Sequence, residues 1–346
     1  MKKNYAFSIV LVLLMSAFCA AQNPSDFLPD KPGKWSYSTN IKTPGAEVVA
    51  FNKNLANVAE WFHQNVPMLN KPVGFDLSAV SFGIWNDNYK RNAANYGMRS
   101  EMEFAFQLFL SDLSRGGKWT VEPPSYSFDI NNTETGHGTN PNYKYFSVSE
   151  YDPAGVKNFS PAQVEAINEA VVNLNGIFAV FPFEKEMAPG VHVYNESVGG
   201  NFYHVIVFNP ERPPYWIPVT LKELAEIHLD YYTSQKDEFL LPQLKKEIAE
   251  LSDEELNAPA HFGHDSHFVL RANGKNEDLQ LMRFNPDYWD KSLPPSTIQF
   301  MTFGYLEMTG SYVEEFYKNN GHPNYPALFM NSFNLEELAG LIMRNK

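Results

Sequence analysis

Met102-Glu103-Phe104-Ala105-Phe106-Gln107-Leu108-Phe109-Leu110 is the stretch on which the fold class turns. Met102, Phe104, Phe106, Leu108 and Leu110 recur every second residue, against Glu101, Glu103 and Gln107. That is the period of a strand with one face in a core. Gly116-Gly117 then marks a turn. Working outward, Phe75–Trp85, Tyr126–Ile130, Tyr143–Val148, Val191–Tyr194 and Phe202–Phe208 read as further strands, and Ile298–Phe303 is apolar throughout. Phe268–Arg271 and Leu279–Phe284 read as a hairpin around Ala272-Asn273-Gly274-Lys275.

Helical signals interrupt these strands without strict alternation. Leu55, Val58, Ala59 and Phe62 share a face within Asn54–Asn65, and Pro67 ends it. Ser160-Pro161-Ala162-Gln163 and Thr220-Leu221-Lys222-Glu223 both read as capping boxes opening helices. Pro242–Leu251 and Tyr312–Tyr317 are helical, and Asn334 caps a last helix with Phe333 and Leu338 as its hydrophobic staple. The expected class is α+β: a mixed or antiparallel sheet with packed helices, rich in loops. Residues 1–21 read as a signal peptide, 22–43 as an extended arm and 44–346 as the globular region, with a soft division into two lobes near 151–159.

Two segments echo each other. Phe208-Asn209-Pro210 precedes Tyr215-Trp216, and Phe284-Asn285-Pro286 precedes Tyr288-Trp289. In each, Pro ends strand pairing and Asn holds a turn through its side chain. One reading makes both strand-exit turns, whose aromatics cover the end of a sheet. The other makes Tyr215, Trp216, Tyr288 and Trp289 a ligand surface, since flat rings stack on sugar faces and anchor peptides. Glu211, Arg212, Asp287 and Asp290 stand nearby to orient polar groups.

His261, His264 and His267 put three of the nine histidines within seven residues. His261, His264 and Asp265 have the donor types of a divalent metal site that would activate a water for hydrolysis. The spacing is not His-Glu-x-x-His, and Gly263 opposes a helix, so a polar surface loop is the competing reading. Otherwise no cofactor is expected. His228 falls on an apolar helix face with Leu221, Leu224, Ala225 and Tyr232, as a core histidine. Glu101 and Glu103 read as a solvated strand face. Gly-x-Ser-x-Gly, P-loop and Gly-x-Gly-x-x-Gly patterns are absent from the sequence.

Lys2-Lys3, the apolar run Tyr5–Phe18 and small Ala20-Ala21 have the order of a secretory signal, with Gln22 as the new N-terminus. The apolar part is short for a membrane span. The only cysteine, Cys19, lies inside this segment, so the mature chain has neither disulfide nor thiolate zinc site. A long exported chain without cysteine suits a bacterial periplasmic or secreted protein. Loss of Lys2 and Lys3 from 27 basic residues leaves 25 against 40 acidic ones, a net charge of −15. That balance speaks against nucleic acid as a partner. Aromatics make up 15% of the chain, which supports tightly packed loops and a ligand surface alike. The functional expectation is a soluble, non-enzymatic extracytoplasmic binder of a glycan or peptide. A metal-dependent hydrolase and a structural or assembly partner of cell-envelope proteins are the alternatives.

Overall fold

The computed structural model describes residues 27–42, 44–83, 96–111, 117–118, 122–133, 139–146, 148–152, 154, 156–196, 202–263, 269–273, 279–307 and 309–342. Residues 1–21, read as the signal peptide, lie outside them. In chain order the elements are β1 (Trp35–Thr39), α1 (Ala46–Asn65), α2 (Pro67–Asn70), β2 (Phe75–Gly83), β3 (Ser100–Leu108), β4 (Ser125–Ile130), β5 (Thr139–Lys144), α3 (Pro161–Asn175), β6 (Ile177–Val180), β7 (Phe183–Ala188), β8 (Val191–Asn195), β9 (Phe202–Phe208), β10 (Trp216–Pro218), α4 (Leu221–Gln235), α5 (Leu240–Ala249), α6 (Asp253–Asn257), β11 (Leu281–Phe284), β12 (Phe300–Leu306), α7 (Gly310–Asn320) and α8 (Tyr325–Met330), followed by a 3-10 turn at Leu335–Leu341. The class is α+β. A mixed sheet has eight strands in the order β1-β2-β3-β4-β12-β9-β8-β7, and an antiparallel sheet has four in the order β10-β11-β6-β5.

The chain forms two compact units, each discontinuous in sequence. The first takes the described residues of Met1–Phe82, Glu101–Phe128 and Tyr305–Asn334. Its centre is the alternating face of β3, where Met102, Phe104, Phe106 and Leu108 are fully buried while Glu101 is exposed. α1 starts at Ala46, earlier than its sequence signal, because Val48 and Phe51 extend the buried stripe of Leu55, Val58, Ala59 and Phe62. Phe62 meets Phe104 and Phe329 edge-on at 5.5 and 5.6 Å. Burying each such ring contributes about 1.5–3 kcal/mol. Within the expected arm, Trp35–Thr39 forms an edge strand parallel to β2. Gly33 permits that approach, since a Cβ there would sit 1.7 Å from the carbonyl oxygen of Phe75.

The second unit takes Gly83–Ser100, Asp129–Gly304 and Leu335–Lys346, again for the described residues, so 151–159 fall inside it. α3 opens with the full capping box of Ser160 and Gln163, and packs Ile167, Val171 and Leu174 into a core with Leu221, Leu224 and Ala225 of α4. His228 lies on that same face, fully buried, with Nε2 2.9 Å from the Tyr145 hydroxyl.

Three expectations change. β11 pairs with β10 and β6, and not with the described residues 269–271 of the expected hairpin. The amides of Val269 and Leu270 instead donate to the Glu247 carboxylate, at 3.0 and 3.3 Å for their nearest oxygens. The last helix is 3-10, with Leu338 and Leu341 buried three residues apart, the period of that helix. At Thr220 only half of the box forms: Thr220 accepts from the Glu223 amide, while the Glu223 side chain turns away to Arg283. An ion pair takes the carboxylate that the cap would have used.

Candidate functional site

The two Phe-Asn-Pro segments fold into the same local structure and then interlock. In each, the Asn side-chain oxygen accepts from the amide two residues on, Asn209 from Glu211 and Asn285 from Asp287, both at 3.0 Å. These are Asx turns, which the Asn-Pro pairs encode locally. The segments then bond to each other. The Asn285 amide donates to the Tyr215 carbonyl at 2.7 Å, and its Nδ2 donates to the Pro214 carbonyl at 2.8 Å. The Tyr288 hydroxyl accepts from the Asn209 amide at 2.9 Å and donates to the Gln299 carbonyl at 2.6 Å. Arg212 reaches across to donate to the carbonyls of Tyr288, Asp287 and Trp289 at 2.8 to 2.9 Å. Trp216 stands opposite Phe284 in the β10–β11 ladder.

This interlock brings Tyr215, Trp216, Tyr288 and Trp289 into one aromatic cluster, and buries all four, Trp216 the least at 9% exposure. Trp289 stacks on Phe284 at 5.3 Å, and Trp216 packs against Tyr194 at 5.1 Å. Their faces are covered by neighbouring rings of the cluster. The Tyr215 hydroxyl lies 2.6 Å from that of Tyr194 and 2.7 Å from His192 Nδ1. Burial pushes the Tyr215 phenol well above its ordinary range, and lifts that of Tyr194 to about 12. Burial also lowers the His192 pKa, which favours the neutral ring.

Among the described residues of the second unit, a cavity of about 330 Å³ opens beside this cluster. Val172, Asn173, Asn175 and Gly176 from the end of α3 form one wall. Glu223, Glu226, Ile227 and Asp230 of α4 form another, at the helical spacing that puts them on one face. β6 supplies Phe178 and β11 supplies Arg283 and Phe284, with Pro286 and Thr133 completing the lining. Phe284 and Pro286 therefore belong both to the echoed motif and to the cavity. Glu223 Oε1 stands 2.7 Å from Arg283 Nε. The contact lies off the N–H axis, so it is an ion pair and not an aligned hydrogen bond. The Asn175 side chain is engaged on the Val148 backbone, at 2.8 and 3.2 Å. Charge, amide and aromatic surface line a space of small-ligand size.

Sequence reading passed over Glu226, Asp230 and Arg283. The helical spacing of Glu223, Glu226 and Asp230, opposite the apolar stripe, was the available signal. Arg283, alternating with Met282 and Phe284 on a strand, had none. Of the histidine segment, His261 is described, in a bridge opposite Gln280 and with its carbonyl accepting from the Asn273 amide at 2.7 Å. His264 and Asp265 lie outside the described residues. Among the described residues no group of three or more His, Cys, Asp and Glu side chains is placed to hold a metal, and no helix is long and apolar enough to cross a membrane. Compared with family models, curated proteins and solved structures, the chain matches none.

Proposed function

We propose that this chain is an exported, non-enzymatic binding protein that holds a glycan or peptide in the cavity between α3, α4 and β11. The observation that carries the reading is the cavity itself, with polar and charged groups on two walls and Phe178 and Phe284 on a third. Pockets of about 300–1,000 Å³ that combine apolar walls with a few polar groups are where small ligands bind. In this reading Tyr215, Trp216, Tyr288 and Trp289 form the rigid backing that holds β10 and β11 in place. Export is supported by Lys2-Lys3, the apolar run behind them and Ala20-Ala21, and the lack of cysteine beyond Cys19 suits a bacterial periplasmic or secreted protein.

The test is a thermal melt of the mature chain against soluble oligosaccharides and short peptides, since binding to the native state raises Tm. A rise is expected with a member of one class. Ile227→Trp, which fills the cavity from its half-buried α4 wall, should abolish it. A rise that persists in Ile227→Trp places binding elsewhere, and no rise with either class sinks the reading.

A further inference from the structure

We infer that the ligand of this cavity is a zwitterion: a free amino acid or a peptide of two or three residues with both ends unblocked. The inference rests on the binding reading above and narrows it. The cavity wall carries both signs of charge. Arg283 is tethered at Nε by Glu223, and among the described residues its two terminal nitrogens have no partner. Those nitrogens are part of the fork that grips a carboxylate bidentately. Glu226 and Asp230 are exposed and likewise have no partner among the described residues. A carboxylate pair of this kind receives an ammonium.

Spacing sets the length of the ligand. At about 1.5 Å of rise per residue, Glu226 stands about 4.5 Å and Asp230 about 10.5 Å along α4 from Glu223, the residue that fixes Arg283. An extended peptide spans about 3.3–3.6 Å per residue. One or two residues therefore reach from Arg283 to Glu226, and three reach to Asp230. Phe178 and Phe284, nearly buried, present only an apolar edge to this space. The end of α3 also lines the cavity, and the negative pole of its helix dipole favours the ammonium. A neutral sugar would desolvate the guanidinium and both carboxylates without neutralising them, and a polycation or polyanion would meet a like charge.

The test is calorimetric titration of the whole mature chain with free amino acids, an unmodified di- and tripeptide library, the same library N-acetylated, the same library C-amidated, and cellotriose and chitotriose. Unmodified peptides should bind, and blocking either end should weaken binding at least tenfold. Arg283→Gln should weaken binding of free peptides at least tenfold and leave binding of the C-amides unchanged. Glu226→Gln with Asp230→Asn, at exposed positions without a side-chain hydrogen bond or ion pair among the described residues, should do the same for the ammonium end. End-blocked peptides binding as well as free ones would overturn the inference. So would saccharides binding where peptides do not, although the cavity would then remain a binding site. Silence from every ligand would remove both.

Discussion

Arg212 shows how much one side chain can hold. Its guanidinium donates to three successive backbone carbonyls of the second motif, and such charge-assisted bonds are worth more than neutral ones. Arg212→Ala should lower stability by about 2–3 kcal/mol, read as a shift of the denaturant midpoint. Arg212→Lys should recover little, because an ammonium cannot reproduce the planar fork. His228 is the corresponding residue for pH. Burial, with Arg271 nearby, lowers its pKa to about 4. The unfolded chain, with a pKa near 6.5, then binds the extra proton first. Stability should be full above about pH 6.5 and fall as pH drops towards 4, by on the order of 3 kcal/mol for this group. His228→Phe should flatten the pH dependence of urea unfolding across that window. An unchanged slope would mean that the ring is not held neutral in the core. The Asx turns of Asn209 and Asn285 were legible in the sequence, because an Asn bonds its own neighbourhood. The burial of the rings that follow was not, because burial depends on what lies across from them.

Among the elements, the capped helix starts at Ser160 and Thr220 were legible, and their chemistry differs in a measurable way. Ser160 and Gln163 satisfy each other's amides at 3.3 and 3.2 Å, a reciprocal box visible in four residues. At α4 the same pattern closes only halfway, because Glu223 serves Arg283. Ser160→Ala should cost about 1 kcal/mol, typical of a lost cap. Gln163→Ala should add a loss at α3, while Glu223→Ala should leave the cap of α4 intact and remove the ion pair. Mutant melting temperatures, with a double mutant of Glu223 and Arg283, separate the two roles. β3 was legible from its alternation. β7 was not: Phe183–Glu186 are all exposed, so the strand has no apolar period to read. Charged side chains and an irregular register with β8 fit an edge strand.

For the whole molecule, the export reading makes the simplest prediction. The mature protein recovered from outside the cytoplasm should begin at Gln22, by N-terminal sequencing or intact mass, and retention of residues 1–21 would refute cleavage there. The fold class followed from the sequence because periodicity is local: β3, α1 and α3 each bury a face that their own residues define. The units and the cavity came only with tertiary structure. Each unit gathers segments far apart in the chain, and the cavity joins Thr133, the end of α3, one face of α4 and Arg283 on β11. By itself, then, the sequence determined the mixed class, the caps and the paired Asn-Pro turns, each set within a few residues. Tertiary structure alone decided that the four motif aromatics face inward and that Glu223 leaves its cap for Arg283. Both depend on partners supplied by other elements, Tyr194 of β8 for Trp216 and Arg283 of β11 for Glu223, which no local pattern encodes.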